Sequence, residues 1–219
     1  MELLQQLALW AVPVLAAVIL HEVAHGYAAF QLGDSTAARA GRLTLNPLPH
    51  IDPIGTVALP ALLIALHAPF LFGYARPVPI DYSRLRNPRR DMVLVALAGP
   101  GTNMILAVLS ALAFHGLEHL LRGVSVETAG PLTMGVVLPL TQMAQASIVI
   151  NVSLGIFNML PLPPLDGGRV LTGLLPYAQA RLVAAIEPFG FLILVALIMT
   201  GWLRPLIHGP INFVMRVLL

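Results

Sequence analysis

Two histidines and a glutamate within one five-residue segment could carry out metal chemistry in this chain. The segment His21-Glu22-Val23-Ala24-His25 has the spacing H-E-x-x-H. On a helix, residues i and i+4 share one face, so both imidazoles can bind one metal ion while Glu22 lies beside it as a general base. A hydrolytic zinc site takes three protein ligands and keeps a fourth position for water, whose pKa the metal lowers. The spacing therefore predicts a hydrolytic zinc site that still needs one ligand.

Asp166 is the best candidate for the third ligand. It lies in the segment 158–169, whose sequence is NMLPLPPLDGGR. The prolines break a helix and the glycines permit a tight turn, so a carboxylate can be directed back into a helical bundle. Taken alone, such a turn is more often a plain connection between helices. Because a carboxylate oxygen completes a two-histidine zinc site, its pairing with H-E-x-x-H favours a metal ligand.

Other residues offer weaker alternatives. His115, Glu118 and His119 fit the inverted pattern H-x-x-E-H, but they follow an apolar stretch and are typical of a helix end at the membrane interface. His50 is most simply a connector residue, and a position near the site stays open for it. The chain has no cysteine, which excludes thiolate ligands, and no G-x-S-x-G motif, which argues against a serine protease.

The composition predicts a membrane protein. Of the 219 residues 58% are hydrophobic and only 10% are charged, against about a quarter charged in soluble domains. Five apolar stretches are long enough, or nearly so, to cross about 30 Å of hydrocarbon: 3–20, 54–72, 92–114, 132–160 and 182–203. We therefore expect an all-α polytopic membrane protein, a bundle of five to six transmembrane helices that forms a single domain over residues 1–219.

The first apolar stretch is expected to be a mature span. It lacks the basic n-region of a signal peptide, since Glu2 is its only early charge. It should continue as a helix over 3–32, kinked near Pro13, and end at Gly33. Three ionisable groups inside such a helix are costly to bury and are functional candidates for that reason. The formal charge of +2, with arginine as the only basic residue besides histidine, gives no support to nucleic-acid binding.

The region between residues 34 and 91 is the hardest to assign. Residues 42–45 alternate in polarity and predict a short strand, as part of a membrane-embedded β-hairpin or a re-entrant connector. The stretch 76–90 holds five arginines and one aspartate, which predicts a cytoplasmic loop. Either segment 54–72 is re-entrant or the connector 34–53 folds into the membrane.

Four motifs together resemble the site-2 protease family of intramembrane metalloproteases, particularly its compact members without a PDZ or CBS domain. The motifs are 21–26 (HEVAHG), 41–56 (GRLTLNPLPHIDPIGT), 98–103 (AGPGTN) and 158–167 (NMLPLPPLDG). The resemblance implies that His21, His25 and Asp166 bind one zinc ion and that Glu22 activates water. It also implies that Asn158 orients the substrate or stabilises the oxyanion.

The resemblance further implies the substrate and its location. Substrates of this family are membrane-spanning helices, cut in or near the bilayer, so the chain is expected to be a multi-pass protein of the cell membrane. A helix must unwind before it can be cut, and the strand expected at 42–46 could bind the unwound segment by strand addition. The alternatives are a non-proteolytic zinc-binding membrane protein and an ion transporter that uses the same intramembrane residues. The oligomeric state is left open.

Overall fold

Eight α-helices make up most of the structure, a computed structural model that describes residues 2–66, 73–123 and 129–219. Short 3-10 turns occupy Leu48–His50 and Tyr82–Arg84, and π-helical turns at Pro53–Ala58 and Thr133–Val137 lead directly into α3 and α5. The helices are α1 Glu2–Gln31, α2 Thr36–Arg39, α3 Leu59–Ala65, α4 Pro88–Leu121, α5 Leu138–Asn158, α6 Asp166–Leu174, α7 Tyr177–Met199 and α8 Leu203–Leu218. No strand occurs within the described ranges, so the predicted all-α class is confirmed.

Four helical stretches are long and apolar enough to cross a membrane: Leu9–Gln31, Pro88–Leu121, Thr133–Asn158 and Tyr177–Met199. The chain is therefore an integral membrane protein, but the predicted count of five to six spans is not confirmed. The stretch 54–72 accounts for the difference. Its described part ends with the apolar helix Pro53–Ala65, which at 1.5 Å per residue reaches only about 20 Å. Residues 67–72 lie outside the described part.

The predicted strand at 42–46 is not confirmed either. These residues form bends and irregular backbone, because their polar groups find local partners instead of a second strand. The Arg42 N–H donates to the Ala37 carbonyl (2.9 Å) and the Asn46 N–H to Thr44 Oγ1 (3.1 Å). The alternate N–H groups of Tyr74, Arg76 and Val78 bond to other segments, a two-residue period typical of extended backbone, so we call residues 73–80 the extended segment.

The end of α1 is fixed by a glycine and a buried carboxylate. Gly33 has φ of +117°, a conformation that residues with a Cβ rarely adopt, so the predicted helix stop is confirmed. The buried Asp34 carboxylate then accepts hydrogen bonds from the Thr36 N–H (2.9 Å) and the Asp81 N–H (2.7 Å). This ties the end of α1 to the end of the extended segment. The helix continues through Pro13 without interruption.

The bundle is built around α4, which packs against α1, α5 and α6. Between α4 and α5 the buried contact uses small and β-branched residues, which let the two backbones approach closely: Ala107, Ala111, Ile148 and Val152. Apolar residues of α8 pack against this cluster, so α8 covers the α4–α5 pair. Large apolar side chains elsewhere face outward, such as Leu112 (66% exposed) and Leu182 (70% exposed), as expected for a surface in contact with lipid.

Candidate metal centre

His21 and His25 lie one turn apart near the middle of the first candidate span, Leu9–Gln31, and face the same side of α1. Their Nε2 atoms are 3.0 Å apart, and the rings meet edge to face at a centroid distance of 4.6 Å. Both side chains are buried, each only 6% exposed. The two imidazole nitrogens are therefore directed at one point, as the H-E-x-x-H spacing predicts.

Asp166 brings a carboxylate oxygen to the same point. It is the first residue of α6, directly after the proline-rich turn that follows α5. Its Oδ2 lies 3.2 Å from the Nε2 of His21 and 3.2 Å from the Nε2 of His25. The turn needs glycine next to Asp166, because a Cβ on Gly167 would collide with the carbonyl oxygens of Met159 and Leu160. Tertiary structure thus joins residues that are more than 140 positions apart in sequence.

The hydrogen bonds on the far side of each ring fix which nitrogen is protonated. His21 Nδ1 donates to Asn103 Oδ1 (2.6 Å), and His25 Nδ1 donates to the Val95 carbonyl (2.7 Å). Because both partners are acceptors, the neutral rings carry their protons on Nδ1 and direct the Nε2 lone pairs at Asp166. Two lone pairs and a carboxylate oxygen converge here, an arrangement that a bound cation stabilises.

Asn103 has a positioning role that the sequence did not reveal. It is fully buried in α4, and its Nδ2 donates to Asn151 Oδ1 on α5 (2.8 Å) and to the Ala17 carbonyl (3.3 Å). These donations orient the amide so that Oδ1 faces His21. The available signal was an asparagine in the middle of an apolar helix, which is costly in a membrane and indicates a functional contact.

The donor set and its spacing fit zinc. Ligands of a tetrahedral zinc ion lie about 2.0–2.2 Å from the metal, which separates any two of them by roughly 3.3–3.6 Å. The three donor atoms are 3.0–3.2 Å apart, within a few tenths of an ångström of that separation. Within the described residues this is the one group of three or more side chains that could hold a metal ion, and its members are His21, His25 and Asp166.

Glu22 lies next to this group and is fixed by the extended segment. Its Oε2 accepts a hydrogen bond from the Val78 N–H (2.8 Å). The extended segment is itself fixed by Arg42, whose Nη2 donates to the Arg76 carbonyl (2.6 Å). The carboxylate is only half-buried, and the Val78 bond engages one of its two oxygens. A carboxylate held in this way can accept a proton.

The remaining candidates form hydrogen bonds with groups other than the three donor atoms. Asn158, the last residue of α5, donates through Nδ2 to the Leu154 carbonyl of its own helix (3.0 Å). His115 is half exposed, lies 3.8 Å from Glu118 and contacts the Leu218 carbonyl near the chain's end. His50 is buried in the connector, where Nε2 donates to the Thr44 carbonyl (2.9 Å) and Nδ1 has no partner. The inverted motif at His115–His119 therefore does not contribute to the metal group.

The close approach of α4 to the histidines makes Gly99 a sensitive position. A Cβ there would lie 2.6 Å from His21 Cε1 and even closer to His25 Nε2. We expect Gly99→Ala to lower zinc affinity about 10- to 100-fold, as loss of a ligand's support usually does. Gly101→Ala is the matched control: its Cβ would meet nothing within 4 Å, and it brings the same gain in helix propensity. Equal zinc affinity for the two variants, measured by titration, would contradict this packing.

Comparison with known proteins now gives the class. Residues 9–201 match the model of Peptidase family M50, and this range contains every residue of the metal centre. The chain belongs to Peptidase family M50, the site-2 protease family, and is a zinc metalloprotease. The alternatives of a non-proteolytic zinc protein and an ion transporter have no comparable support.

Two bacterial relatives illustrate the similarity. The chain is 36% identical over 189 residues to a Bacillus subtilis protein named "Putative zinc metalloprotease YwhC", covering 86% of this chain and 79% of the relative. It is 32% identical over 207 residues to "Putative zinc metalloprotease Rip2" of Mycolicibacterium smegmatis, covering 91% of this chain and 71% of the relative. No solved structure matches the chain significantly.

Proposed function

We propose that this metalloprotease hydrolyses peptide bonds in or near the transmembrane helices of other membrane proteins. One observation carries the proposal: the three donor atoms of His21, His25 and Asp166 converge inside the bundle, and both histidines belong to a helix long enough to span a bilayer. A hydrolytic centre carried by a helix of this kind favours a substrate that is itself in the membrane. We further propose that residues 1–219 act as one domain and that the membrane is the cell membrane.

In the proposed mechanism His21, His25 and Asp166 hold zinc. Bound zinc supplies Lewis acidity, which lowers the pKa of water and polarises a carbonyl group. Glu22 is the general base: it takes a proton from the attacking water and returns it to the leaving amine. The Val78 N–H orients its carboxylate for this exchange. Asn103 and the Val95 carbonyl keep the two imidazoles in the tautomer that can bind metal.

Asn158 is proposed to donate a hydrogen bond to the substrate carbonyl as negative charge develops there. It lies half-buried at the end of α5, eight residues before Asp166. One hydrogen of its Nδ2 is donated to the Leu154 carbonyl, and the second is the donor proposed for the substrate. A donor that meets the charge only in the transition state changes kcat and not zinc binding.

We therefore expect Asn158→Ala to lower kcat about 10²- to 10³-fold with an unchanged zinc content. Asn212→Ala is the control, because that amide bonds only an exposed histidine on α8 at 2.7 Å. Turnover of a reporter substrate and metal analysis of the same preparations check this. An unaltered kcat for Asn158→Ala would exclude the proposed contact.

The function itself is tested with purified protein in liposomes. Reporter proteins with a single transmembrane helix are added, and the cut position is read by mass spectrometry of both fragments. We expect about one zinc per chain, cleavage in or next to the hydrocarbon-spanning part of the reporter, and loss of cleavage when zinc is chelated. Cleavage confined to water-exposed loops far from the span would contradict the proposal.

A further inference from the structure

A cavity of about 310 Å³ lies between α1, the connector and the extended segment. The α1 wall includes Leu15, Val18 and Ile19, and the connector and extended segment contribute His50, Ile51 and Tyr74. An apolar cavity of about 150 Å³ is enough to admit benzene. This space, which we call the α1 pocket, can therefore hold any single apolar side chain.

Two walls of the α1 pocket lead directly to Glu22. Residues 15, 18, 19 and 22 follow one another at the spacing i, i+3, i+4 and i+7, so the apolar wall and the carboxylate share one face of α1. The extended segment runs the same way: its first residues line the pocket, and Val78 further along donates to Glu22. The pocket and the proposed general base thus lie along the same two elements, α1 and the extended segment.

The chemistry of the walls selects an apolar occupant. Seven of the twelve lining residues are leucine, valine, isoleucine, proline or alanine. The side chains of Thr56 and His50 donate to backbone carbonyls, and His50 Nδ1 has no partner but is itself fully buried. Thr56 Oγ1 donates to the Tyr74 carbonyl (2.9 Å), and His50 Nε2 donates to the Thr44 carbonyl (2.9 Å). A polar side chain would lose its own hydrogen bonds here without gaining others.

The pocket also has a route from the bilayer. Val14 and Leu15, at its α1 edge, are 40% and 41% exposed, and they belong to the part of α1 that is long and apolar enough to span the membrane. A side chain carried by a membrane-embedded segment can enter from this side without crossing water. The same segment could then lie along α1, which also carries Glu22 and the two histidines of the metal group.

We propose that the α1 pocket receives the apolar side chain of a substrate residue flanking the scissile bond and so selects where the substrate is cut. This inference rests on the proposed function and adds its specificity determinant. Large apolar residues such as leucine or phenylalanine at that substrate position gain burial in the pocket, whereas alanine leaves it unfilled. A pocket of this kind commonly discriminates about 10- to 100-fold in kcat/KM.

The test fills the pocket from α1 and compares substrates. Reporter helices carry phenylalanine, leucine or alanine at each position flanking the cut site identified for the wild type. We expect the wild type to prefer the large residues at one position by about 10- to 100-fold. Val18→Phe should abolish that preference, so that the phenylalanine, leucine and alanine reporters are cleaved at rates within about twofold of one another. Zinc content reports whether each variant is folded.

Matched variants keep the result decisive. Val12→Phe adds the same ring to α1 outside the pocket, where Val12 is 56% exposed, and should retain the wild-type preference. Ile51→Phe fills the pocket from the opposite wall and replaces Val18→Phe if that variant does not fold. A preference unchanged in folded pocket variants would overturn the proposal, and it is the result expected if a lipid chain occupied the pocket.

The outcomes also separate this inference from the proposed function. A wild type that cuts reporter helices without any side-chain preference overturns the α1 pocket alone. A wild type that binds zinc but cuts no reporter helix overturns the proposed function, and the pocket inference falls with it.

Discussion

Replacing Glu22 by glutamine is expected to abolish nearly all peptide cleavage while zinc stays bound. Glutamine has almost the same shape as glutamate. Its side-chain oxygen can still accept the hydrogen bond from the Val78 N–H, which is 2.8 Å long to Glu22 in the wild-type structure. It cannot take a proton from water, however, and removal of a positioned general base costs about 10²- to 10⁴-fold in kcat. The metal ligands are untouched, so zinc content should match the wild type. Reporter turnover and metal analysis on one preparation measure both quantities.

Glu118→Gln provides the matched control for this experiment. Glu118 belongs to the inverted H-x-x-E-H motif, is about half exposed and lies 3.8 Å from His115. Its replacement should leave cleavage and zinc content unchanged, because exposed ion pairs contribute little. If Glu22→Gln kept substantial activity, or if Glu118→Gln lost it, the assignment of the general base would be wrong.

Removing Asp166, the proposed third ligand, should have the second large effect. In Asp166→Ala the two imidazoles keep their spacing, but the carboxylate oxygen 3.2 Å from each Nε2 is gone. Even outer-shell partners of metal ligands are worth about 10- to 100-fold in affinity, so loss of a ligand should exceed 100-fold. Zinc and cleavage should therefore disappear together, and this loss distinguishes Asp166→Ala from Glu22→Gln.

A second buried carboxylate shows whether such a loss is specific. Asp91 is 3% exposed and accepts the Asn87 N–H at the start of α4 (2.8 Å). Asp91→Ala should cost about 1 kcal/mol of stability through the lost helix cap and leave zinc affinity unchanged. If Asp166→Ala retained zinc at wild-type affinity, Asp166 would not be a ligand.

The two variants divide the proposed mechanism into its two parts. Loss of zinc in one and loss of turnover without loss of zinc in the other would separate metal binding from proton transfer. The Gly99 variant adds a third case, in which all ligands are present but their space is reduced. Together the three variants distinguish the loss of a proposed metal ligand, the loss of the proposed proton acceptor and the loss of space around the two histidines.

Local features of this molecule follow from the sequence because short-range geometry determines them. The spacing of His21 and His25 fixes a shared face as soon as the segment is helical, and long apolar stretches make it helical in a membrane. Gly33 ends that helix through its own backbone conformation, at φ of +117°. The class of the protein and the shared face of the two histidines therefore follow from short-range sequence features alone.

The connector is where sequence patterns were least informative. Alternation at 42–46 predicted a strand, but a strand forms only if another backbone lies alongside, and the described part of the chain contains no strand pairing. Residues 73–80 instead bond to backbone groups in and just after the connector. The Tyr74 N–H bonds the Gly55 carbonyl (3.0 Å) and the Arg76 N–H bonds the His50 carbonyl (2.9 Å). Such pairings depend on which other segment of the chain packs alongside, and a local sequence pattern does not contain that information.

In the metal group, too, some features follow from the sequence and others from the tertiary structure. By itself the sequence determined that two imidazoles share one helical face, and it singled out Asp166 as a partner through a turn motif. Only tertiary packing decided that Asn103 and the Val95 carbonyl orient the rings and that the Val78 N–H holds Glu22. The physical reason is range: helical periodicity acts over four residues, whereas each of these contacts joins groups 56 to 82 residues apart.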